Sequence, residues 1–167
     1  MSLTIKSKII VPTALVVLIL DRLTKSLVVD WVCYGDMVPV VPGFFDLTYV
    51  RNTGAAFSLM AGARDSVRLP FLVLTSLAAV VVLFYFIRIT RPEHRLVLFA
   101  LSLILGGAAG NLIDRAFYGS VIDFIYWHIG GYYWPAFNIA DSGITVGVTI
   151  LCGDMLLSKR APGGMEA

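Results

Sequence analysis

The chain has 167 residues, of which 58% are hydrophobic and only 14% are charged, and its mean hydropathy is +0.84. Soluble domains carry about 25% charged residues, so this composition predicts an integral membrane protein. The formal net charge of +2 is too small to indicate a nucleic-acid partner. The two cysteines, Cys33 and Cys152, form no C-x-x-C pair and fall in segments expected on opposite sides of the membrane, so neither a disulfide nor a thiolate metal site is expected.

Four apolar runs predict four transmembrane helices, at residues 9–29, 69–87, 96–113 and 137–157. Each approaches the ~20 residues that a helix needs to cross the hydrocarbon core. The first run follows two lysines, as a signal peptide would, but no small-x-small cleavage site closes it, and Asp21, Arg22 and Lys25 continue the helix. We therefore expect a retained span, and an all-α membrane protein with one integral membrane domain over residues 1–167.

The basic residues predict the orientation of these spans. Seven of the 13 lie in short segments that an even number of spans places on one side of the membrane. By the positive-inside rule, both termini and the loop between the second and third spans are expected in the cytoplasm, and residues 30–68 and 114–136 form the outer connections. The seven residues are Lys6, Lys8, Arg88, Arg91, Arg95, Lys159 and Arg160.

The two outer connections have different compositions from the spans. Residues 37–60 have an alternating hydrophobic pattern with β-branched residues, and Pro39, Pro42 and Gly43 interrupt it. This pattern favours short strands over a helix. A small β-rich region is thus predicted between the first and second helices. Ten aromatic residues in the outer segments also indicate an interfacial belt: Trp31, Tyr34, Phe44, Phe45, Tyr49, Tyr126, Trp127, Tyr132, Tyr133 and Trp134.

Two aspartates are predicted to face each other near the outer membrane surface. Asp123 ends the second outer connection, and Asp141 lies about one turn into the fourth span. Two carboxylates held within a few Å share a proton, which leaves one as a general acid and the other as a general base. Such a pair can hydrolyse a peptide bond without a metal. Spacing alone does not determine which aspartate carries the proton.

Neighbouring polar residues support this interpretation, although a single aspartate at a membrane edge can equally be a helix cap or half of an ion pair. Asn138 and Thr145 share a helix face with Asp141 and are expected to orient its carboxylate. Asp114 adjoins Arg115, and we expect it to fix the guanidinium and the loop rather than transfer protons. The small-xxx-small glycines are Gly106 and Gly110 on the third span and Gly143 and Gly147 on the fourth; they are expected to bring these two helices together.

Five motifs in one order resemble those of the lipoprotein signal peptidases (signal peptidase II). They are Asp21-x-x-x-Lys25, RNTGAAF at residues 51–57, GNLIDR at 110–115, VIDF at 121–124 and FNIADS at 137–142. The resemblance covers nearly the whole chain. It implies an aspartic endopeptidase of the bacterial inner membrane, active near the periplasmic face, that removes signal peptides from diacylglyceryl-modified prolipoproteins on the N-terminal side of the lipidated cysteine. It further implies contacts with membrane lipids and inhibition by globomycin-like cyclic peptides. We expect the protein to act as a monomer and without a cofactor.

The resemblance also assigns residues. It places the catalytic pair at Asp123 and Asp141, and it places site-supporting roles at Asn52, Gly54, Asn111, Asp114, Arg115 and Asn138. Asn52 and Arg115 are expected to hold oxygen atoms of the substrate backbone or of a lipid head group. Asp21 and Lys25 are expected to pair across one helical turn, either as a helix-end ion pair that positions the first span or in direct contact with the substrate.

Two alternative classes of protein follow from the same residues. A small transporter or proton channel would also keep aspartates in its spans, but its carboxylates should line a path near the midplane rather than gather at one edge. A non-catalytic lipid-binding protein would explain the aromatic belt but not the two aspartates with their asparagines. Metal binding is not expected, because His94 lies in the inner loop and His128 is a lone histidine among aromatics.

Overall fold

The computed structural model describes residues 2–54 and 64–158. It contains four α-helices, α1 (Ser2–Trp31), α2 (Asp65–Ile89), α3 (Arg95–Tyr118) and α4 (Ile139–Ser158). The first three predicted spans lie within α1, α2 and α3, and the fourth coincides with α4 except for its first two positions. Lys159, Arg160 and residues 55–57 of the RNTGAAF motif lie outside the described residues.

Three of these helices are long and apolar enough to cross a membrane. The segments are Ser66–Ile89, Arg95–Tyr118 and Ile139–Leu157, with mean hydropathies of 2.5, 2.1 and 1.4. Helix α1 is as long, but its second half carries Asp21, Arg22 and Lys25. The prediction of membrane-spanning helices is therefore confirmed for three, and that of a fourth span stays a prediction.

Helix α3 is the centre of the helical layer. More than half of its apolar window is buried, at 56%, against 11% for α2 and 17% for α4, because α1, α2 and α4 all pack on it. Glycines permit the close approach. A Cβ at Gly106 would lie 2.7 Å from the Ala14 carbonyl oxygen of α1, and one at Gly147 would lie 2.7 Å from the Ala100 carbonyl oxygen of α3.

The expectation that the four glycines serve the contact between α3 and α4 was wrong for Gly106 and incomplete for two others. Gly106 faces α1, whereas Gly110 and Gly143 contact α1 as well as the opposing helix of the pair. The α3 glycine that meets α4 most closely is Gly107, where a Cβ would overlap the Ala140 carbonyl oxygen. Successive helical positions point about 100° apart, so adjacent glycines serve different partners.

A four-stranded antiparallel sheet caps one end of the helices. Its strands are β1 (Met37–Val41), β2 (Phe45–Asn52), β3 (Val121–Ile129) and β4 (Tyr132–Tyr133), in the order β1-β2-β3-β4. The prediction of strands between the first two helices is confirmed. The structure corrects the second outer connection, because α3 continues to Tyr118, ends at the left-handed Gly119 (φ 70°), and leads directly into β3.

The sheet is attached to the end of α1 and to the start of α4. An apolar cluster of Val28, Val32, Tyr49, Ile122 and Phe124 packs β2 and β3 against the end of α1. The backbone of Phe137 then pairs with Ile125 of β3 immediately before α4 begins. Because β3 carries Asp123 and the first turn of α4 carries Asp141, this pairing sets the two aspartates side by side in the fold.

At the end of the molecule away from the sheet, the first turns of α1 contact the end of α2. The Lys6 ammonium donates hydrogen bonds to the carbonyl oxygens of Ile87 and Arg88, at 3.2 and 2.7 Å. The start of α1 and the end of α2 therefore lie at the same end of the molecule, away from the sheet. This arrangement agrees with the expected grouping of basic residues on one side.

Candidate active site

A cavity of about 720 Å³ lies between α2, α3, α4 and the sheet. Its walls are mostly apolar and include Trp127, Trp134 and Phe137, but polar side chains converge on one part of it. Those polar residues are Asn52, Ser76, Asn111, Arg115, Asp123, Asp141, Ser142 and Thr145. The structure thus brings five of the predicted site residues to one cavity, including both aspartates.

Asp123 is held by two amides and is almost completely buried, with 2% of its surface exposed. The Asn52 side-chain amide donates to its Oδ2 at 3.1 Å, and the Asn138 amide donates to its Oδ1 at 2.7 Å. Asn52 is itself fixed, because its Oδ1 accepts a hydrogen bond from the Gly54 N–H at 3.0 Å. Asn52 therefore positions Asp123, which is a contact that the expected role in substrate binding did not include.

Asp141 lies in the first turn of α4, where the positive end of the helix dipole favours a carboxylate. The Asn111 amide donates to its Oδ1 at 2.7 Å. Asn138 precedes the helix, and its Oδ1 accepts a hydrogen bond from the Asp141 N–H at 2.9 Å, as an N-cap does. The expectation that Asn138 orients the Asp141 carboxylate was wrong, because its amide donates to Asp123 and only its oxygen contacts Asp141.

The two asparagines link the two aspartates. The Asn138 amide also approaches Asn111 Oδ1 at 3.4 Å, which completes a chain from Asp123 through Asn138 and Asn111 to Asp141. Asn111 and Asn138 are buried, with 6% and 0% exposure. Since each asparagine presents N–H groups to a carboxylate, the pair holds both carboxylates in fixed positions.

The pKa of Asp123 is raised to about 7. Burial is the largest cause, because it disfavours the charged form, and the nearby Asp141 charge acts in the same direction. The hydrogen bonds from Asn52 and Asn138 and the charge of Lys25 oppose the rise without cancelling it. Near neutral pH Asp123 therefore exists partly in its protonated form, which is the form that a general acid requires.

A buried ionic network lies behind the two aspartates. The Lys25 ammonium contacts Asp21 Oδ2 at 2.8 Å and Asp114 Oδ2 at 2.7 Å, and all three side chains are fully buried. Lys25 also donates to Asn111 Oδ1 at 3.3 Å, and Asp21 Oδ1 accepts the Ala140 N–H at 3.0 Å. The predicted pairing of Asp21 with Lys25 is confirmed. Neither residue lines the cavity, so the geometry favours the positioning role over contact with a substrate.

Asp114 does not fix Arg115, contrary to expectation. Its Oδ1 lies 2.6 Å from Arg22 Nη1, in an ion pair whose angles are not those of a hydrogen bond, and its Oδ2 faces Lys25 and the Ile122 N–H. Asp114 thus ties α3 to α1 and to β3. Arg22 was not among the predicted site residues. The adjacency of Asp114 and Arg115 along the chain did not indicate this partner on α1.

Arg115 extends into the cavity instead. Its Nη1 donates to Ser76 Oγ of α2 at 3.3 Å, and its buried Nε has no hydrogen-bond partner within residues 2–54 and 64–158. The guanidinium therefore lines the cavity next to both aspartates. This placement supports the expectation that Arg115 contacts substrate oxygen atoms.

The chain is similar to known proteins over most of its length. The family model described as "Signal peptidase (SPase) II" matches residues 13–157. The lipoprotein signal peptidase of Syntrophotalea carbinolica is 49% identical over 144 residues, which are 86% of this chain and 88% of that protein. That of Geobacter sulfurreducens is 47% identical over 145 residues, with coverages of 86% and 88%. A solved structure described as a bacterial membrane enzyme superposes with a TM-score of 0.82 at 34% identity, covering 94% of this chain and 93% of its own.

Proposed function

The chain belongs to the signal peptidase II family, and on that premise we propose that it is an aspartic endopeptidase that cleaves signal peptides from diacylglyceryl-modified prolipoproteins, N-terminal to the lipidated cysteine. Membership of this family confirms the resemblance predicted from the five motifs. The main support for this mechanism is that Asp123 and Asp141 face one cavity. Asn138 and Asn111 link the two side chains by hydrogen bonds.

In this mechanism the two aspartates have different starting states. Asp123 carries the proton, because it is buried and its pKa is raised to about 7. Asp141 acts as the base, and its place at the N-terminal end of α4 and the hydrogen bond from the Asn111 amide both favour a carboxylate.

Hydrolysis then proceeds by transfer of protons between water, substrate and the pair. Asp141 takes a proton from water as the water oxygen bonds to the scissile carbonyl carbon, and Asp123 gives its proton to the carbonyl oxygen. When the tetrahedral intermediate collapses, Asp141 donates to the leaving nitrogen, the C–N bond breaks, and Asp123 recovers the hydroxyl proton. The Arg115 guanidinium beside the pair is placed to bind the substrate backbone or an ester carbonyl.

The cavity also suits a lipid-linked substrate. Its apolar wall includes Trp127, Trp134 and Phe137, and α2 and α4, which form two of its sides, have largely exposed apolar surfaces. A signal-peptide helix and acyl chains in the bilayer could therefore reach the aspartates without crossing water.

Helix α1 completes the membrane-embedded part of this proposal. We propose that α1 is the fourth span, although its second half carries Asp21, Arg22 and Lys25. These charges are paired inside the protein, which lowers the cost of placing them in a membrane.

The remaining assignments rest on the family and on the distribution of charge. We propose one integral membrane domain of the bacterial inner membrane, with both termini cytoplasmic and the aspartates near the periplasmic face. The protein is expected to act as a monomer without a cofactor and to be inhibited by globomycin-like cyclic peptides, which would occupy the same cavity. Within the described ranges 2–54 and 64–158, no group of three His, Cys, Asp or Glu side chains could hold a metal ion.

The proposed activity is tested with purified protein in detergent and a synthetic prolipoprotein, offered with and without the diacylglyceryl group. Mass spectrometry identifies the released signal peptide. We expect cleavage of the modified substrate at the bond before the lipidated cysteine, and a loss of at least about 100-fold in Asp141→Asn. Asp154→Asn is the matched control, because Asp154 lies on the same helix at the end away from the sheet. Equal cleavage by Asp141→Asn and Asp154→Asn would refute the assignment.

A further inference from the structure

A second, smaller pocket lies on the face of the sheet opposite the active-site cavity. Side chains alternate along β3, so Asp123 and Trp127 face the cavity, whereas Tyr126 and His128 face the other side. We call this site, of about 230 Å³, the Asp46 pocket. It is lined by Met37, Asp46, Tyr126, His128, Gly130, Gly131, Tyr132 and Tyr133.

The Asp46 pocket contains an acidic group without a lysine or arginine among its lining residues. Asp46 lies on β2 directly opposite Tyr126 and is 9% exposed. Its Oδ2 lies 3.0 Å from His128 Nε2 and accepts a hydrogen bond from that ring nitrogen. A largely buried carboxylate favours a cationic partner.

Aromatic rings line the same pocket as this carboxylate. The Tyr126 ring stacks on Tyr133, with centroids 6.2 Å apart and planes at 26°, and lies 5.6 Å from the His128 ring. Tyr132 and Tyr133 are 87% and 69% exposed, so their ring faces are accessible at the mouth of the pocket. Tyrosine faces beside a carboxylate are a combination that binds organic ammonium ions, through cation–π attraction and charge.

The strands that line the Asp46 pocket follow the end of α1, where exposed aromatic rings indicate the head-group layer of a membrane. The sheet begins at Met37, shortly after α1 ends at Trp31, and the chain between them carries exposed aromatic rings. Trp31 and Tyr34 are 83% and 67% exposed. Exposed tryptophan and tyrosine at the end of apolar helices mark the level of the lipid head groups.

We propose that the Asp46 pocket binds the ammonium group of a lipid head group of the ethanolamine type. The Asp46 carboxylate provides the counter-charge, and the rings of Tyr126 and Tyr133 provide the aromatic contacts. A cavity of about 230 Å³ is several times the ~30 Å³ that a water molecule occupies in the liquid, so it accommodates a small head group but not acyl chains. The same chemistry would accept a soluble alkylammonium ion, and the experiment below separates the two sources.

The test counts bound lipids by native mass spectrometry on the full chain, purified in detergent and supplied with phosphatidylethanolamine or phosphatidylglycerol. We expect one phosphatidylethanolamine to be retained in preference to phosphatidylglycerol, and roughly ten-fold weaker retention in Asp46→Asn, which removes the counter-charge. The amide oxygen of the substituted side chain can still accept the His128 hydrogen bond, so the sheet should fold. Asp30→Asn removes an exposed carboxylate at the same end of α1 and should leave retention unchanged.

A second arm adds free ethanolamine to the wild-type protein. Displacement of the retained lipid by ethanolamine supports ammonium recognition with a lipid as the natural source. Binding of ethanolamine that Asp46→Asn weakens, with no retained phosphatidylethanolamine, assigns the pocket to a soluble amine and overturns the lipid source. Equal retention by wild type and Asp46→Asn, or equal retention of both lipids, overturns the proposal. Since prolipoprotein cleavage is measured separately, these outcomes do not depend on the proposed activity.

Discussion

Replacement of Asp123 by asparagine should stabilise the protein at neutral and alkaline pH. Asp123 is 2% exposed, and its pKa is raised from 3.8 to about 7. Between these two pH values the folded protein keeps a proton that the unfolded chain releases, so the free energy of unfolding falls as pH rises and levels off above about 7. A pKa change of this size corresponds to about 4 kcal/mol. The substituted asparagine carries no charge at any pH and should remove this decline.

The assay is thermal unfolding in detergent, followed by tryptophan fluorescence between about pH 4 and pH 8.5, a range that spans both pKa values. For a chain of this length about 4 kcal/mol corresponds to roughly 10 °C, so the Tm of Asp123→Asn relative to wild type should rise by about that amount from the acidic to the alkaline end. Asp30→Asn is the control, because its side chain is exposed and should give a curve parallel to wild type. Parallel curves for Asp123→Asn and wild type would refute the argument that Asp123 is protonated in the folded protein.

Three further perturbations test the scaffold and the chemistry. Gly107→Val should separate α3 from α4 and abolish cleavage, because a Cβ there overlaps the Ala140 carbonyl oxygen, whereas Gly153→Ala, which has open space, should be harmless in the same assay. Lys25→Met should lower the free energy of unfolding by about 3–5 kcal/mol, since it leaves the Asp21 and Asp114 carboxylates without their shared cation; a loss below about 1 kcal/mol in denaturant unfolding would contradict this. EDTA should leave the cleavage rate unchanged, and activity lost to EDTA and restored by zinc would overturn the metal-free mechanism.

Local patterns were sufficient for the helices and for part of the site. Apolar runs of about 20 residues predicted all four helices, because no other element satisfies its backbone in lipid within a single segment. The i and i+4 spacing of Asp21 and Lys25 predicted their ion pair, which depends only on helix geometry. The predicted position at the outer membrane edge, together with the resemblance of the motifs, indicated Asp123 and Asp141, and both line one cavity in the structure.

Contacts between elements that are distant in the sequence could not be predicted from local patterns. Asp114 was assigned to its neighbour Arg115, but adjacent helical residues diverge, and its partners Arg22 and Lys25 come from α1. Asn138 was assigned to the Asp141 carboxylate because the two residues are three apart, yet its amide reaches across to β3. Such partners depend on tertiary packing, which periodicity does not encode.

The strand β3 is a different case, because the sequence did contain its signal. Residues 121–129, VIDFIYWHI, are rich in β-branched and aromatic residues, which favour strands. They fall in the segment predicted as the outer connection between the third and fourth spans. The pairing of Val50 with Asp123 shows what this missed: the sheet itself carries one of the two aspartates to the cavity.

The rate of a single turnover by Asp123→Asn is the decisive measurement for the role of the aspartate pair. The variant should fold at least as well as wild type at neutral pH and yet cleave diacylglyceryl-modified prolipoprotein at least about 100-fold more slowly, since it lacks the proton that the scissile carbonyl oxygen must receive. Quenched samples analysed by mass spectrometry give the rate and the cleavage position together. Cleavage of the correct bond by folded Asp123→Asn at a rate within about three-fold of wild type would contradict the role of the aspartate pair.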